Sequence, residues 1–331
     1  MNNKKKIKDV NYFIRIFQDF LITWYIFMGI KLELFDYLKE KNGRTIEEIA
    51  NDLNLRDKIV KDWCDSMLVE DLLIKEGNRY KLNKLTKRYL CRDSIEYIGF
   101  VITSLEYFTN AFQNFENNFK KNKKFFNYSP DQMLGITKNI APIASFLTPI
   151  ILSEVSDVKG PYNVLDIGCG LGYYLFNLAD KIHDLKGIGV DIQPKILKEA
   201  SKIAQIKGLN GRIEFKKRNA LNLKLKDRYN IILMSNVVQA FDKNQNTKIF
   251  SNIYDLLAPN GKFIIIDCLL DQDIRNSKFN VFFNLYLKFE SQYAQLYTLD
   301  QLKEMVLSTN LKFINHKHLG LGIDMIIFKK V

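Results

Sequence analysis

The sequence predicts an α/β fold, with a doubly wound, mostly parallel sheet in its second half and a smaller helical domain before it. Short apolar stretches alternate with helical patterns in the second half of the chain, as they do in parallel sheets. The first of these stretches, Val164 to Ile167, leads straight into a turn with three glycines. Residues 45–82 give a helix, helix, hairpin pattern. With 331 residues, the chain is long enough for two hydrophobic cores.

The first half of the chain predicts helices followed by one β-hairpin. Residues 10–42 have the pattern of two amphipathic helices. Thr45 and Glu48 stand three residues apart before an apolar pattern, which predicts a capping box at the start of a short helix. A further helix is expected from about Arg56, and a hairpin over residues 72–82 turns at Gly77. Together these elements predict a winged helix.

The glycine turn predicts a binding site for a cationic small molecule. Glycines at positions 168, 170 and 172 leave backbone N–H groups bare where the strand turns into a helix, so a ligand can lie against the backbone. Asp166, just before the turn, would repel a pyrophosphate but suits an ammonium or sulfonium group. A dinucleotide site would need Gly or Ala where this chain has Tyr173.

Polar residues after the following strands extend the predicted site. Asp191 ends the second strand about 20 residues after the turn, as an acid that binds ribose hydroxyls does. Asn219 follows the third strand, and its side-chain oxygen can accept a hydrogen bond from a ligand at the same edge of the sheet. The second to fifth strands are expected at residues 187–190, 212–215, 229–234 and 262–267.

These motifs, in this order, resemble those of class I S-adenosylmethionine-dependent methyltransferases. Nearly the whole chain is similar to the small-molecule O-methyltransferases, which include plant caffeate-type and bacterial antibiotic-tailoring enzymes. The resemblance implies a Rossmann-like catalytic domain, S-adenosylmethionine as the cofactor and a homodimer formed by the N-terminal domain. The expected domains are a winged-helix dimerisation domain over residues 1–92, a helical connector and substrate cap over residues 93–155, and a cofactor-binding catalytic domain over residues 156–331.

The resemblance also implies which residues contact each small molecule. The cofactor is expected to contact the glycine turn and the residues at the strand ends, namely Asp166, Gly168, Gly170, Gly172, Asp191, Ile192, Asn219, Ala220 and Ser235. The acceptor is expected to be a small, aromatic or apolar molecule, because the cap and the helix over residues 279–293 are rich in aromatic residues. The residues expected around it are Phe112, Met133, Asn236, Asn284, Leu285 and Tyr286.

The general base of the family is missing from this sequence. In the family a His follows the fourth strand, but Gln239 stands at that position and Ala240 takes the place of the acid beside it. A glutamine side chain orients a partner by hydrogen bonds but takes no proton. Three explanations stay open: an acceptor that needs no base, such as a thiol, carbon or amine; a substitute base, with Asp242 first and Asp267 or Asp271 behind it; or cofactor binding without methyl transfer.

Composition limits the remaining function classes. The 47% apolar and 26% charged content is typical of a soluble globular protein, and four well-separated cysteines indicate neither a disulfide framework nor a zinc site. We therefore expect a cytoplasmic protein. The apolar stretch Phe20 to Ile30 is shorter than the 20 or so residues of a membrane span, so we expect no membrane partner.

Features that would suit two further ligand classes, nucleic acids and metal ions, also have simpler interpretations. The net charge of +12 and the lysines at positions 120, 121, 123 and 124 would suit a nucleic-acid-binding methyltransferase or regulator. The excess of lysine throughout the chain explains the charge more simply, so nucleic acid is not the expected partner. His316 and His318 alternate on a predicted strand and share one side of it. We expect them on a surface strand and expect no metal.

Overall fold

The computed structural model of the chain describes residues 3–94, 96–112, 120, 128–320 and 322–331. Three of the four clustered lysines, at positions 121, 123 and 124, lie outside the described residues. The chain forms two compact units, Met1–Glu106 and Tyr107–Val331. The stretch of residues 93–155, which we expected to act as a connector, is divided between the two units at residue 106.

Unit 1 consists of helices and one antiparallel hairpin. The capping box predicted at Thr45 is present, because its side chain accepts from the Glu48 N–H at 3.3 Å and the Glu48 carboxylate accepts from the Thr45 N–H at 2.9 Å. Trp63 and Phe35 pack edge to face in the core. The elements are α1 (Asn3–Lys31), α2 (Leu34–Lys41), α3 (Ile46–Asp52), α4 (Asp57–Val69), β1 (Leu73–Glu76), β2 (Arg79–Leu82), α5 (Lys84–Tyr89) and α6 (Gly99–Thr103); α7 (Leu105–Phe112) continues into unit 2.

Helix α1 is longer than the apolar stretch of residues 20–30 suggested. By length and composition alone, residues 7–31 and residues 130–154 are each long and apolar enough to cross a membrane. The second segment contributes Ala144, Leu147 and Ile151 to the core of unit 2. Helix α1 instead exposes large apolar side chains along its first five turns: Ile7, Val10, Tyr12, Phe13, Ile14, Ile16, Phe17 and Phe20.

Unit 2 is the predicted doubly wound α/β domain. Its helices are α8 (Pro130–Lys138), α9 (Ile140–Glu154), α10 (Tyr173–Ala179), α11 (Pro194–Ile206), α12 (Lys243–Leu256), α13 (Lys278–Glu290) and α14 (Leu299–Leu307). Its strands are β3 (Asn163–Ile167), β4 (Lys186–Asp191), β5 (Ile213–Lys217), β6 (Tyr229–Ser235), β7 (Leu257–Leu270), β8 (Tyr297–Thr298), β9 (Lys312–His318) and β10 (Ile323–Lys329). The five strands predicted from the sequence correspond to β3 to β7.

The sheet places the carboxyl ends of its parallel strands side by side. In the described residues its order is β5-β4-β3-β6-β7-β10-β9, and β8 pairs with the end of β7. Strands β3 to β7 are parallel, whereas β10 lies antiparallel between β7 and β9. Helices α9, α10 and α11 pack on one face, and α12 and α14 pack on the other. Both faces are therefore buried, as the continuous apolar stretches of the parallel strands predicted.

Candidate functional site

A cavity of about 250 Å³ lies at the carboxyl ends of β3, β4 and β6. Parallel doubly wound sheets bind ligands at this edge, where the strand order reverses. Here the reversal falls at β3, because β4 lies on one side of it and β6 on the other. Residues of the predicted site that line the cavity are Met133, Asp166, Gly168, Gly170, Asp191, Ile192, Ser235 and Asn236.

The glycine turn has the conformation that its sequence predicted. Gly168, Gly170 and Gly172 have φ angles of 72°, 54° and 81°, a region that residues with a Cβ rarely adopt. A Cβ on Gly172 would also come within 2.5 Å of the Phe215 ring, and a Cβ on Gly168 would collide with Val237. The turn therefore leaves bare backbone facing the cavity, where a flat ligand can approach closely.

Asp166 brings a carboxyl group with an unpartnered oxygen to the cavity wall. Its side chain is 1% exposed, and its Oδ2 has no hydrogen-bond partner among the described residues. Burial raises its pKa to about 7, and the nearby carboxylate of Asp191 adds to the effect. A buried acceptor of this kind costs free energy unless a ligand satisfies it. The site therefore fits a ligand that carries a cation at this point.

Asp191 holds the two chain segments that follow β3 and β4. Its Oδ2 accepts a hydrogen bond from the Gly170 N–H at 3.1 Å, and its Oδ1 accepts one from the Gln193 N–H at 2.9 Å. The carboxylate has lone pairs to spare for the hydroxyls of a sugar. Asp191 therefore links the glycine turn to the end of β4 and faces the same cavity.

The end of β6 adds polar groups on the other side of the glycine turn. Ser235 Oγ donates to the Tyr174 hydroxyl at 3.4 Å, and Asn236 Nδ2 donates to Ser235 Oγ at 3.3 Å. Asn236 has a φ angle of 54°, a left-handed conformation that Asn adopts more readily than most residues. The strand thus ends in a sharp turn, and Ser235, Asn236 and Val237 all line the cavity.

Three residues predicted for the cofactor site are not in the cavity wall. Gly172 is the residue just before α10 and is not among the residues that line the cavity, and the Phe215 ring occupies the space that a Cβ on it would need. Asn219 is exposed just after β5, and its Oδ1 accepts from the Leu221 N–H at 2.9 Å. Ala220 begins the short 3-10 turn that follows. Asn219 stays next to the site, because the preceding Arg218 N–H donates to the Asp191 carbonyl at 3.0 Å.

Gln239 lies in a 3-10 turn of residues 238–240, beyond the cavity wall. Its carbonyl accepts from the Gln295 N–H at 2.8 Å, and its side-chain Oε1 is enclosed with no hydrogen-bond partner among the described residues. It borders a space beside Leu296 and Tyr297 that has no room for a water molecule. The side of this turn that faces Leu296 and Tyr297 is therefore tightly packed.

Asp267 lies directly beneath the Gln239 turn. Burial raises its pKa to about 7, although hydrogen bonding from the backbone N–H groups of Cys268 and of residues 237–239 favours the carboxylate and so lowers the pKa. The Cys268 N–H donates to its Oδ1 at 2.9 Å. Asp242, the first candidate for a substitute base, caps α12 instead: its side chain accepts from the Gln245 N–H at 2.8 Å. This arrangement gives Asp242 a structural role at the helix start.

The residues predicted around the acceptor are spread over several environments. Tyr286 is 5% exposed within an aromatic cluster, whereas Leu285 on the same helix is 50% exposed. Asn284 Oδ1 accepts from the Leu296 N–H at 2.8 Å, which joins α13 to the segment before β8. Phe112 packs edge to face on Phe289 at a ring-centroid distance of 5.6 Å.

Sequence reasoning missed the helical side of the cavity. Ile136, Thr137 and Ile140 from α8 and α9 contribute to the wall, as does Tyr174 from α10. Tyr174 stands two residues after Gly172, the last glycine of the motif, so its position was a usable signal. The pattern of α8 gave none, because an apolar helix face does not tell which tertiary partner it covers.

The three histidines lie away from the cavity wall. His183 follows α10, and the alternation of His316 and His318 on a strand is confirmed. Both rings lie within hydrogen-bond distance of Oδ1 of the buried Asp324, His316 through Nε2 at 2.8 Å and His318 through Nδ1 at 3.2 Å. In the part of the chain that the structure describes, no group of three His, Cys, Asp or Glu side chains is placed to hold a metal ion.

Comparisons with known proteins agree with this geometry. Residues 159–308 match the family described as "Methyltransferase domain". The chain is 29% identical over 129 residues to 3-hydroxy-5-methyl-1-naphthoate 3-O-methyltransferase of Streptomyces sahachiroi, covering 39% of this chain and 37% of that protein. It is 22% identical over 258 residues to N,N-dimethyltransferase OxyT of Streptomyces rimosus, covering 73% and 74%. The first match thus spans little more than a third of the relative's length.

Solved structures resemble the fold over almost the full chain. An O-methyltransferase family protein from Burkholderia thailandensis superposes with a TM-score of 0.78 at 18% identity, covering 97% of this chain and 98% of that one. Human N-acetylserotonin methyltransferase, solved in complex with S-adenosylmethionine, gives a TM-score of 0.81 at 16% identity and covers 97% of each chain. Residues 159–308 of unit 2 are therefore similar to a methyltransferase domain, and the solved structures show that the chain shares their fold.

Proposed function

We propose that this methyltransferase domain serves an enzyme that methylates a small, aromatic or otherwise apolar molecule without a histidine general base. The acceptor atom is a thiol sulfur, a carbon or an amine nitrogen. The observation that carries the proposal is Gln239, which stands after β6 where the family has its His. Its amide takes no proton, so a weakly acidic phenol would lack the partner that usually removes its proton.

The surroundings of the cavity support an acceptor that needs no such base. None of the three histidines lines the wall. The first candidate for a substitute, Asp242, is engaged as a helix cap. Asp267 is enclosed under the Gln239 turn, where backbone N–H groups face it. S-adenosylmethionine supplies an electrophilic methyl group when bound; Asp166, Asp191 and the glycine turn would hold it.

The similar proteins support a small cyclic acceptor but leave the methylated atom open. One relative is named as a naphthoate 3-O-methyltransferase, and another as an N,N-dimethyltransferase. A structural neighbour is named for N-acetylserotonin. These names include both oxygen and nitrogen methylation, so the missing base in this chain becomes the deciding feature for the acceptor class.

Calorimetric titration of the full chain with S-adenosylmethionine and S-adenosylhomocysteine tests the first part of the proposal. A screen of thiol, carbon, amine and phenol acceptors for S-adenosylhomocysteine release tests the second. We expect cofactor binding, and turnover on at least one acceptor class other than phenols. Binding without turnover on any acceptor would favour a non-catalytic role, turnover on phenols alone would overturn the base argument, and no binding would overturn the site.

We propose further that the protein is a cytoplasmic homodimer that assembles through unit 1. The apolar side chains of α1 that are exposed in the single chain support this, and so do the four free, buried cysteines, which suit a reducing compartment. Light scattering after size exclusion should give twice the chain mass. Replacing Phe13 and Phe17 by Asp should give a monomer that still binds cofactor. A monomeric wild type that floats with lipid vesicles would contradict the proposal.

A further inference from the structure

A second cavity, of about 580 Å³, lies in unit 2. Its wall is formed by the end of β7, the starts of α13, α14 and β10, and the end of β9. The walls of this second cavity and of the cofactor cavity have no residue in common. A ligand in the second cavity would therefore be bound by residues to which neither the glycine turn nor the Gln239 turn contributes.

Asp324 gives the second cavity a buried carboxyl group with one oxygen left for a ligand. Its side chain is 8% exposed, and its Oδ1 is the oxygen beside the rings of His316 and His318. In the part of the chain that the structure describes, no hydrogen bond reaches its Oδ2. A neutral imidazole that donates one ring N–H keeps its other nitrogen as an acceptor. This part of the wall therefore offers acceptors, and a carboxylate withdrawn from water is stabilised by a cation.

Two further carboxylates, Asp271 and Asp300, stand on exposed parts of the same wall. Asp300 Oδ2 accepts from Gln272 Nε2 at 2.6 Å, and Asp271 Oδ1 accepts from the Asp273 N–H at 2.9 Å. These donors are amides, so neither bond brings a positive charge to the carboxylate. Lys278 is the one Lys or Arg among the wall residues, although the whole chain has a net charge of +12. The second cavity therefore attracts cations more than the rest of the chain does.

Apolar side chains complete the wall of the second cavity. They are Leu269, Leu270, Phe279 and Leu299. The Phe279 ring stacks on Phe283 at a ring-centroid distance of 6.0 Å, and Phe279 is still 48% exposed. Such a ring can pack against methylene groups and attract an ammonium group to its face. The three carboxylates belong to three different elements, so the wall can contact more than one ammonium group of the same ligand.

From these observations we infer that the second cavity binds an aliphatic polyamine, whose ammonium groups contact Asp271, Asp300 and Asp324. Ammonium groups make charge-assisted hydrogen bonds to carboxylates, and the methylene chain between them matches the apolar part of the wall. The described residues place no three His, Cys, Asp or Glu side chains around one metal ion, so an organic cation fits better. The start of α14 would favour an anion, but Thr298 caps it by accepting from the Gln301 N–H at 3.3 Å, and Asp300 adds a negative charge to its first turn.

Three six-carbon molecules test this inference by titration calorimetry on the full chain. They are 1,6-diaminohexane, 1,6-hexanediol and adipate, which carry ammonium, hydroxyl and carboxylate groups at the two ends. At pH 8 imidazoles are ordinarily neutral, so the rings beside Asp324 do not compete as cations. We expect one diamine to bind per chain, about tenfold or more tightly than the diol, and adipate to bind more weakly than either. Added salt should weaken diamine binding.

Single substitutions locate the diamine. Asp324→Asn should weaken its binding by about tenfold or more, because the lost charge is buried. Asp271→Asn and Asp300→Asn should each weaken it by roughly two- to fivefold, as expected for exposed ion pairs. Lys278→Gln should strengthen it, since a competing cation leaves the wall. Glu304→Gln, an equal charge loss at an exposed site outside this wall, should leave diamine binding unchanged.

The outcomes separate this inference from the proposed function. Equal affinity for diamine and diol, no binding of the diamine, or tighter binding of adipate overturns the polyamine site. Diamine binding that the variants Asp271→Asn and Asp300→Asn leave unchanged places the diamine elsewhere and also overturns it. These two exposed positions decide the matter even if Asp324→Asn does not fold. S-adenosylhomocysteine affinity measured in the same samples reports on the proposed function alone, and its absence in the wild type would leave the polyamine site intact.

Discussion

The charge of Asp166 is predicted to control cofactor affinity, and Asp166→Asn removes that charge with almost no change in shape. The side chain lines the cofactor cavity, is 1% exposed and keeps one oxygen unpartnered. Its pKa of about 7 means that the carboxyl group is only partly ionised at neutral pH. A ligand that brings a sulfonium or ammonium group to this point binds the ionised form, so binding should release a proton.

The magnitude follows from the ionised fraction. When only the carboxylate binds, affinity is reduced by the fraction of protein in that form. With a pKa of about 7, S-adenosylmethionine should therefore bind about tenfold more weakly at pH 6 than at pH 8. Loss of a hydrogen bond to a charged group typically costs about 1.5–3 kcal/mol, so Asp166→Asn should weaken binding at pH 8 by roughly ten- to a hundredfold. The variant should show little of the pH dependence.

Titration calorimetry at pH 6, 7 and 8, in buffers of different ionisation enthalpy, measures both the affinity and the protons released. The same titrations with S-adenosylhomocysteine, which has the ammonium group but lacks the sulfonium, show which of the two cations Asp166 faces. If its affinity depends less on pH than the affinity for S-adenosylmethionine does, Asp166 faces the sulfonium. Asp300→Asn, an exposed carboxylate outside the cavity wall, is the control for net charge. A flat wild-type profile, or a slope that persists in Asp166→Asn, would refute the reasoning.

Three further predictions follow from the same edge of the sheet. Asp191→Ala should weaken cofactor binding by about 1–3 kcal/mol in the same titration, because the ribose hydroxyls and the glycine turn both lose an acceptor; unchanged affinity would contradict its place in the site. Gln239→Ala should lower turnover by far less than the 10²–10⁴-fold that a general base contributes, measured as S-adenosylhomocysteine release. Gly172→Ala should lower the melting temperature more than Gly77→Ala. Both glycines have a positive φ, but only a Cβ added at Gly172 would come within 2.5 Å of a ring, that of Phe215. Equal decreases in melting temperature would argue against this close approach.

Burial of Asp166 also makes the stability of the cofactor-free protein depend on pH. Its pKa rises on folding from 3.8 to about 7, so the folded state binds a proton that the unfolded chain has lost. The free energy of unfolding should therefore fall as the pH rises through that window. Asp267, whose pKa is also about 7 because of burial, acts in the same direction. Denaturant unfolding of Asp166→Asn at pH 8 should show higher stability than the wild type; lower stability would reverse the assigned sign.

The strand ends of the site were predictable because their signals are local. A glycine with φ of 72° and an acid directly before it, as at Gly168 and Asp166, are fixed by the few residues around the turn. The Thr45 capping box was predictable for the same reason. Parallel strands that are buried on both faces have continuous apolar sequences. The positions of β3 to β7 could therefore be predicted with errors of only a few residues at the strand ends.

Features that depend on long-range packing were not predictable from the sequence. The sequence favoured Asp242 as a substitute base because it contains a carboxylate close to Gln239, but only the structure shows that it caps α12. Leu285 and Tyr286 are neighbours in sequence, yet they point to different environments on α13, with exposures of 50% and 5%. The hydrogen bond from the Gln295 N–H to the Gln239 carbonyl joins segments far apart in the chain, and no local sequence pattern predicts it.

The position of β10 between β7 and β9 has a consequence for synthesis in the cell. Strands β3 to β7 leave the ribosome before the strand that completes the open side of β7, and β9 emerges before its only sheet partner in the described residues, β10. Until residue 329 is available, β7 presents an unpaired edge flanked by the apolar side chains of Ile264, Ile265 and Ile266. Such an edge invites pairing with foreign strands. The nascent chain should therefore depend on chaperones longest at β7, well after the cofactor-binding half has been translated.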